Sequence, residues 1–115
     1  MKLFLDDERY PPSGFGWLIA RQMADFQIQI RSNGNAISVI SFDHDLGESS
    51  FHEVPTGLDC AKWLADFIMD GNRLPQLEEI YIHSGNPPGA KNIRDFFLSF
   101  QKAGYLKDIK IKILG

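Results

Sequence analysis

The chain has 115 residues, 43% of them hydrophobic and 23% charged, with a formal net charge of −3. That size suits one domain with a modest core, and that composition excludes a disordered chain. The acidic balance argues against a duplex DNA partner, the lone cysteine Cys60 excludes an internal disulfide, and no apolar run nears the roughly 20 residues that span a bilayer.

The start, Met1-Lys2-Leu3-Phe4-Leu5 followed by Asp6-Asp7-Glu8, is too short and too acidic for a signal peptide, so a cytoplasmic protein with no membrane contact is expected. Lys2 to Leu5 predicts a buried strand, ended by the acids and by Pro11-Pro12. Phe15 to Ala20 suits either a strand or the first turn of a helix. A strand is the reading adopted, with a helix from Gln22 to Ser32 that puts Met23, Phe26 and Ile30 on one face. Asn33-Gly34-Asn35 stops that helix, with Gly34 suited to the left-handed conformation found after helix ends.

Ala36 to Phe42 is β-branched and apolar and predicts the central strand, running into Asp43-His44-Asp45-Leu46-Gly47 and a polar loop from Glu48 to Pro55. Thr56 and Asp59 have the spacing of a capping box, opening a helix with Ala61, Leu64, Ala65 and Ile68 as its buried stripe and Gly71 as its end. Glu79 to His83 is a further strand. The turn from Ser84 to Gly89 leads into a helix that begins on proline, buries Ile93, Phe96, Phe97 and Phe100, and closes at Gly104. Ile109, Ile111 and Ile113 alternate with Lys110 and Lys112 in a last strand; with Lys107 these lysines read as a solvated strand edge. The order β-β-α-β-α-β-α-β over residues 1–115 predicts one α/β domain, a parallel sheet with helices on both faces. Only the first crossover, Glu8 to Gly14, lacks a helix.

In open parallel sheets ligands bind beyond the carboxyl ends of the strands. Three such ends carry polar chemistry: Asp6-Asp7, Asp43-His44-Asp45 and His83-Ser84. One Asp at a strand end caps a turn, but two acidic clusters repel unless a cation sits between them. Asp6, Asp7, Asp43 and Asp45 therefore predict a site for a hard divalent cation, Mg²⁺ or alternatively Mn²⁺. His44 and His83 are candidates for general base and acid beside Asp43, although strand alternation leaves the direction of His44 open; His52 reads as structural. The turn Ser84 to Lys91 offers N–H groups and the positive end of a helix dipole, with Ser84, Asn86, Lys91 and Arg94 as candidate anion contacts. Arg9 and Arg21 suit an anion or a carboxylate partner equally.

Leu5-Asp6-Asp7-Glu8-Arg9 with Pro11-Pro12, Ile40 to Gly47, Thr56-Gly57 and His83 to Ala90 together resemble the cyclic-phosphate processing receiver-like family, over nearly the whole chain. The resemblance implies a flavodoxin-like sheet of order 2-1-3-4-5. It also implies Mg²⁺ held by Asp6, Asp7 and Asp43, with Ser84 at the receiver hydroxyl position. The last strand offers no lysine where receivers carry one, and His44 and His83 are additions to the receiver pattern. The activity so implied is a metal-dependent phosphoesterase acting on cyclic phosphates of nucleotides or RNA ends. The alternatives are a receiver-like module phosphorylated on Asp43 and a non-catalytic adaptor that binds a nucleotide.

Overall fold

Five short strands run parallel in the order β2-β1-β3-β4-β5 in the computed structural model, which describes residues 1–11, 16–47 and 54–114. They are β1 (Lys2–Leu5), β2 (Trp17–Ala20), β3 (Val39–Phe42), β4 (Glu79–Ile82) and β5 (Lys110–Ile113). The helices are α1 (Met23–Asn33), α2 (Gly57–Met69) and α3 (Pro87–Lys102). β3 is buried along its whole length, as its apolar run predicts for a strand with neighbours on both sides. The parallel sheet and its strand order are those expected. No helix lies between β1 and β2 among the described residues.

The expected placement of helices on both faces is not what the three helices adopt. Phe42 of β3 meets Phe26 of α1 at a ring separation of 5.5 Å and Phe97 of α3 at 5.3 Å, while Phe26 also meets Trp63 of α2 at 6.1 Å. All three helices therefore lie together over the face that carries Phe42. Crossover handedness explains this. The connections β2 to β3, β3 to β4 and β4 to β5 all move the same way across the sheet, so right-handed crossovers put their helices on one side. Only β1 to β2 moves the opposite way, and that is the connection without a helix.

The core between sheet and helices holds Leu3, Leu5, Ile40, Phe42, Ile80 and Ile82 against Phe26, Leu64, Ile93 and Phe97. Cys60 is buried there, its thiol pushed up to about 12 by burial first, which makes it a small core residue rather than a nucleophile. The predicted capping box is present: Asp59 N–H donates to Thr56 Oγ1, and Thr56 N–H donates to Asp59 Oδ2.

Some boundaries differ from expectation. β3 begins at Val39 because Gly34–Ala36 forms a 3₁₀ turn. Gly34 is not left-handed (φ −53°); it is buried, and a Cβ there would come within 3.3 Å of Leu74. Gly71 and Gly104, with φ of 99° and 102°, do take the left-handed form after α2 and α3. The expected strand start at Phe15, part of the loop Glu48 to Pro55, and His52 fall outside the described residues. No helix among the described residues is long and apolar enough to cross a membrane.

Candidate active site

The backbone ladder runs one residue past three strands and sets the site. Asp6 N–H donates to Ala20 C=O at 3.0 Å, Asp43 N–H to Leu5 C=O at 2.9 Å and His83 N–H to Phe42 C=O at 2.9 Å. Asp6, Asp43 and His83 thus follow Leu5, Phe42 and Ile82, which all face the helices. Alternation turns the three polar side chains to the opposite side. That common direction is why they converge.

Asp6, Asp7 and Asp43 each offer a carboxylate oxygen, and these oxygens lie within 4.8 Å of one another. Asp7 and Asp43 border an open cleft of about 440 Å³ at the carboxyl ends of the strands, lined also by Glu8, Arg9, Asp45, Gly47 and Gly85. Asp6 lies behind them, fully buried. Its Oδ1 accepts from Glu8 N–H at 3.0 Å and Arg9 N–H at 2.9 Å, folding the turn back over the carboxylate. Its Oδ2 faces His83 Nε2 at 3.1 Å. Burial alone would raise the Asp6 carboxyl, but the N–H groups of Arg9 and Glu8 and the His83 ring outweigh it, so it lies below the usual value. Asp43 moves the other way: burial, then the neighbouring Asp6 carboxylate, hold its carboxyl above the usual range.

Three converging carboxylates, one of them raised by its neighbour, are an arrangement of hard oxygen donors short of positive charge. The nearest described cation, Arg9, reaches Asp6 only at 4.0 Å. Such a donor set fits a Mg²⁺-type ion. Asp45, expected among the ligands, lines the same cleft but has a different place. His44 Nδ1 lies 2.8 Å from its Oδ1, and Asn86 Nδ2 donates to its Oδ2 at 3.3 Å. The His44 bond, ahead of the others, lowers the Asp45 carboxyl.

The two imidazoles do not meet at the cleft as an acid–base pair. His83 has both ring nitrogens engaged, Nε2 with Asp6 and Nδ1 with Ser41 Oγ at 2.6 Å, and its ring stacks on Phe4 with centroids 4.3 Å apart. Burial, ahead of every other influence, lowers its pKa. Neutral His83 then donates from Nε2 to Asp6 and accepts the Ser41 hydroxyl proton at Nδ1. Ser41 is 2% exposed, so Asp6, His83 and Ser41 form a buried line of hydrogen bonds and not a nucleophilic triad. His44, one residue on from Asp43, points to the helix side. Its ring lies so close to the start of α3 that a Cβ on Gly89 would come within 2.5 Å of His44 Cγ.

The expected anion site at the start of α3 is largely spent. Pro87 and Pro88 have no N–H, Gly89 N–H donates to Asn86 Oδ1 at 3.1 Å, and Asn86 N–H donates to Ser84 Oγ at 3.0 Å. Asn86 therefore caps the helix and steadies Asp45, and Ser84 stands beside Asp43 and lowers its carboxyl slightly against the larger upward influences. Lys91 points elsewhere, 4.0 Å from Asp95 on the exposed side of α3, and Arg94 also meets Asp95. Arg21 clamps the turn through the carbonyls of Asp6 and Arg9. Of the expected anion contacts, Arg9 and the turn at Gly85 remain at the cleft. Ser41 was missed by sequence reasoning; its only signal is a hydroxyl inside the otherwise apolar run Val39-Ile40-Ser41-Phe42.

A family described as the cyclic-phosphate processing receiver domain matches residues 1–99. No curated protein and no solved structure matches the chain.

Proposed function

The chain belongs to the cyclic-phosphate processing receiver domain family, and from that membership and the acidic cleft we propose that it is a divalent-cation-dependent phosphoesterase opening cyclic phosphates of nucleotides or RNA ends. The observation that carries the reading is the meeting of Asp6, Asp7 and Asp43 within 4.8 Å at the carboxyl ends of adjacent strands. Those three residues would hold the ion, Mg²⁺ or Mn²⁺, which when bound supplies charge neutralisation for a phosphoryl group. Arg9, half exposed at the cleft, meets the phosphate oxygens. His83 and the turn N–H groups hold Asp6 in place. Asp45, fixed by His44 and Asn86, is the proton-handling group on the cleft wall. In the reaction, the oxygen of water bonds to phosphorus, one ribose P–O bond breaks, and the freed ribose oxygen takes a proton.

A product assay on 2′,3′-cyclic nucleotides and cyclic-ended RNA, with Mg²⁺, with Mn²⁺ and with chelator, tests this. The expected result is metal-dependent ring opening, abolished in Asp43→Asn and reduced by about 10²–10⁴ in Asp45→Asn, the range for loss of a proton-transfer group. Ion binding without turnover on any substrate sinks it. The closeness of Ser84 to Asp43 favours one second reading, a module phosphorylated on Asp43. A mass gain on Asp43 after incubation with a small phosphodonor would support that reading instead.

A further inference from the structure

The sheet face turned away from the helices carries Asp6, Asp43, His83 and Ser41 at the cleft, buries Phe4 and Val39 beside them, and beyond these presents residues that the cleft does not use. Register places Lys2 beside Trp17 at one side of this face, and Glu79 beside Lys110 and Tyr81 beside Lys112 at the other. All six alternate with residues that pack into the core, so their side chains leave the sheet on the side opposite α1, α2 and α3. Among the described residues no helix covers them. Trp17 and Tyr81 are partly exposed, and Lys2, Lys110 and Lys112 are exposed.

Away from the cleft the charge on this face is net positive, three lysines against the one carboxylate of Glu79, to which the Tyr81 hydroxyl donates. Every ion pair among the described residues involves a different cation, so no described carboxylate lies within 4.0 Å of these three lysines. Lys2 instead places its ammonium 5.4 Å from the Trp17 ring centroid. A solvated edge accounts for Lys110 and Lys112 on β5 but not for Lys2, which stands on the interior strand β1, three strand spacings or about 14 Å away. The chain as a whole carries −3, and yet this one face presents three lysines and two flat rings.

We propose that this face binds single-stranded nucleic acid, with unpaired bases stacking on Trp17 and Tyr81 and phosphates held by Lys2, Lys110 and Lys112. A helix-free β-sheet with aromatic rings stacks bases without regard to sequence, and lysines at its sides track the backbone. Stacking requires unpaired bases, so duplexes bind weakly. The inference does not rest on the phosphoesterase reading.

Fluorescence anisotropy with a labelled oligouridylate of about twelve nucleotides, a length within reach of one such platform, is the test. It is run on the chain in chelator at low salt, so that no turnover or cleft metal contributes. Binding is expected to weaken with salt, with a log–log slope of about −2 for three phosphate contacts on a single strand. Lys110→Ser/Lys112→Ser is expected to remove about two-thirds of that slope. Trp17→Ser is expected to weaken binding about tenfold or more. Lys62→Ser on the helix side is expected to keep full affinity. No binding at low salt, or affinity unchanged in the double lysine variant, overturns the proposal. So does loss of binding in Arg9→Ser alone, which would place the oligonucleotide in the cleft. Sedimentation showing a dimer that Trp17→Ser dissociates would assign the face to a second copy of the chain and likewise overturn it. The two lysines are exposed and their replacement leaves the core intact, so the double variant decides the matter even if Trp17→Ser fails to fold.

Discussion

Asp43 is 6% exposed and stands beside a second buried carboxylate, Asp6. Burial first, and then that neighbour, raise its carboxyl, so in the absence of a cation its ionised form strains the folded state. Asp43→Asn removes this repulsion while keeping the shape. It is expected to raise the thermal midpoint of the metal-free protein, by an amount worth about 1–4 kcal/mol, the span for two like charges about 4 Å apart between bulk water and a protein surface. The same variant is expected to lose the further rise that Mg²⁺ or Mn²⁺ gives the parent chain. A thermal melt in chelator and in metal reads both, and a destabilised metal-free variant would show that Asp43 is not held under repulsion. At this scale the sequence was informative about the acids, since a carboxylate one residue past a parallel strand must lie at the sheet's carboxyl edge. It singled out His83 and Asn86, as an acid–base and an anion-contact candidate, but not the partners that fix their actual roles. The partner of His83 Nδ1 is Ser41 on the neighbouring strand, and the work of Asn86 depends on the two prolines that remove the first helical N–H groups. Spacing along one chain does not reveal either partner.

The start of α2 shows how an element holds the site. Thr56 satisfies the first-turn N–H groups through the capping box, and Gly57 N–H donates to His44 C=O at 2.7 Å, tying the helix to the loop that follows β3. A Cβ on Gly57 would lie 1.7 Å from the Asp43 carbonyl oxygen, so helix and strand end touch backbone to backbone. Thr56→Ala is expected to cost about 1 kcal/mol, the usual loss of a cap. Gly57→Ala is expected to cost more, upward of about 3 kcal/mol, because backbone cannot swing aside as a side chain can. It is also expected to displace Asp43 and weaken divalent cation binding, which Thr56→Ala leaves intact. Denaturant unfolding paired with metal titration separates the two, and equal costs with equal metal affinity would mean that the close approach does not position Asp43. The capping box was legible because its two residues are three apart in sequence. The close approach was not, because it joins two elements through a turn whose path sequence does not specify. The same limit applies to Gly34, which is buried with Leu74 close by and is not left-handed.

The whole molecule is a sheet with its helices on one side and its buried ionisable line, Asp6 to His83, on the other. The parallel sheet was legible from the alternation of elements and its strand order from the family resemblance, whereas the one-sided packing follows only when each crossover's direction across the sheet is known. The buried line gives the folded state a definite pH response. His83 titrates near 6.5 when unfolded and lower when folded, because burial opposes its charge. Between those two values the unfolded chain binds more protons than the folded one, so stability is full above 6.5 and is lost as pH falls through that window. Asp43 acts in the opposite sense at lower pH. Its folded value lies above the usual 3.8, so the folded state takes up the proton first and gains stability as pH falls toward 3.8. Asp6, held below 3.8, contributes stability that is present above that value and lost as pH falls through its lowered one. The metal-free protein is therefore expected to lose stability below pH 6.5, by about 1.4 kcal/mol for each unit by which burial lowers His83. His83→Gln retains a donor for Asp6 and an acceptor for Ser41 but cannot titrate, so its midpoint should stay level across the same interval. Thermal melts of the two proteins in chelator, taken on either side of pH 6.5, make the comparison. A parent profile as flat as that of His83→Gln would mean that His83 is not held neutral, and the hydrogen-bonded line from Ser41 to Asp6 would then carry a protonated ring with Ser41 accepting from it.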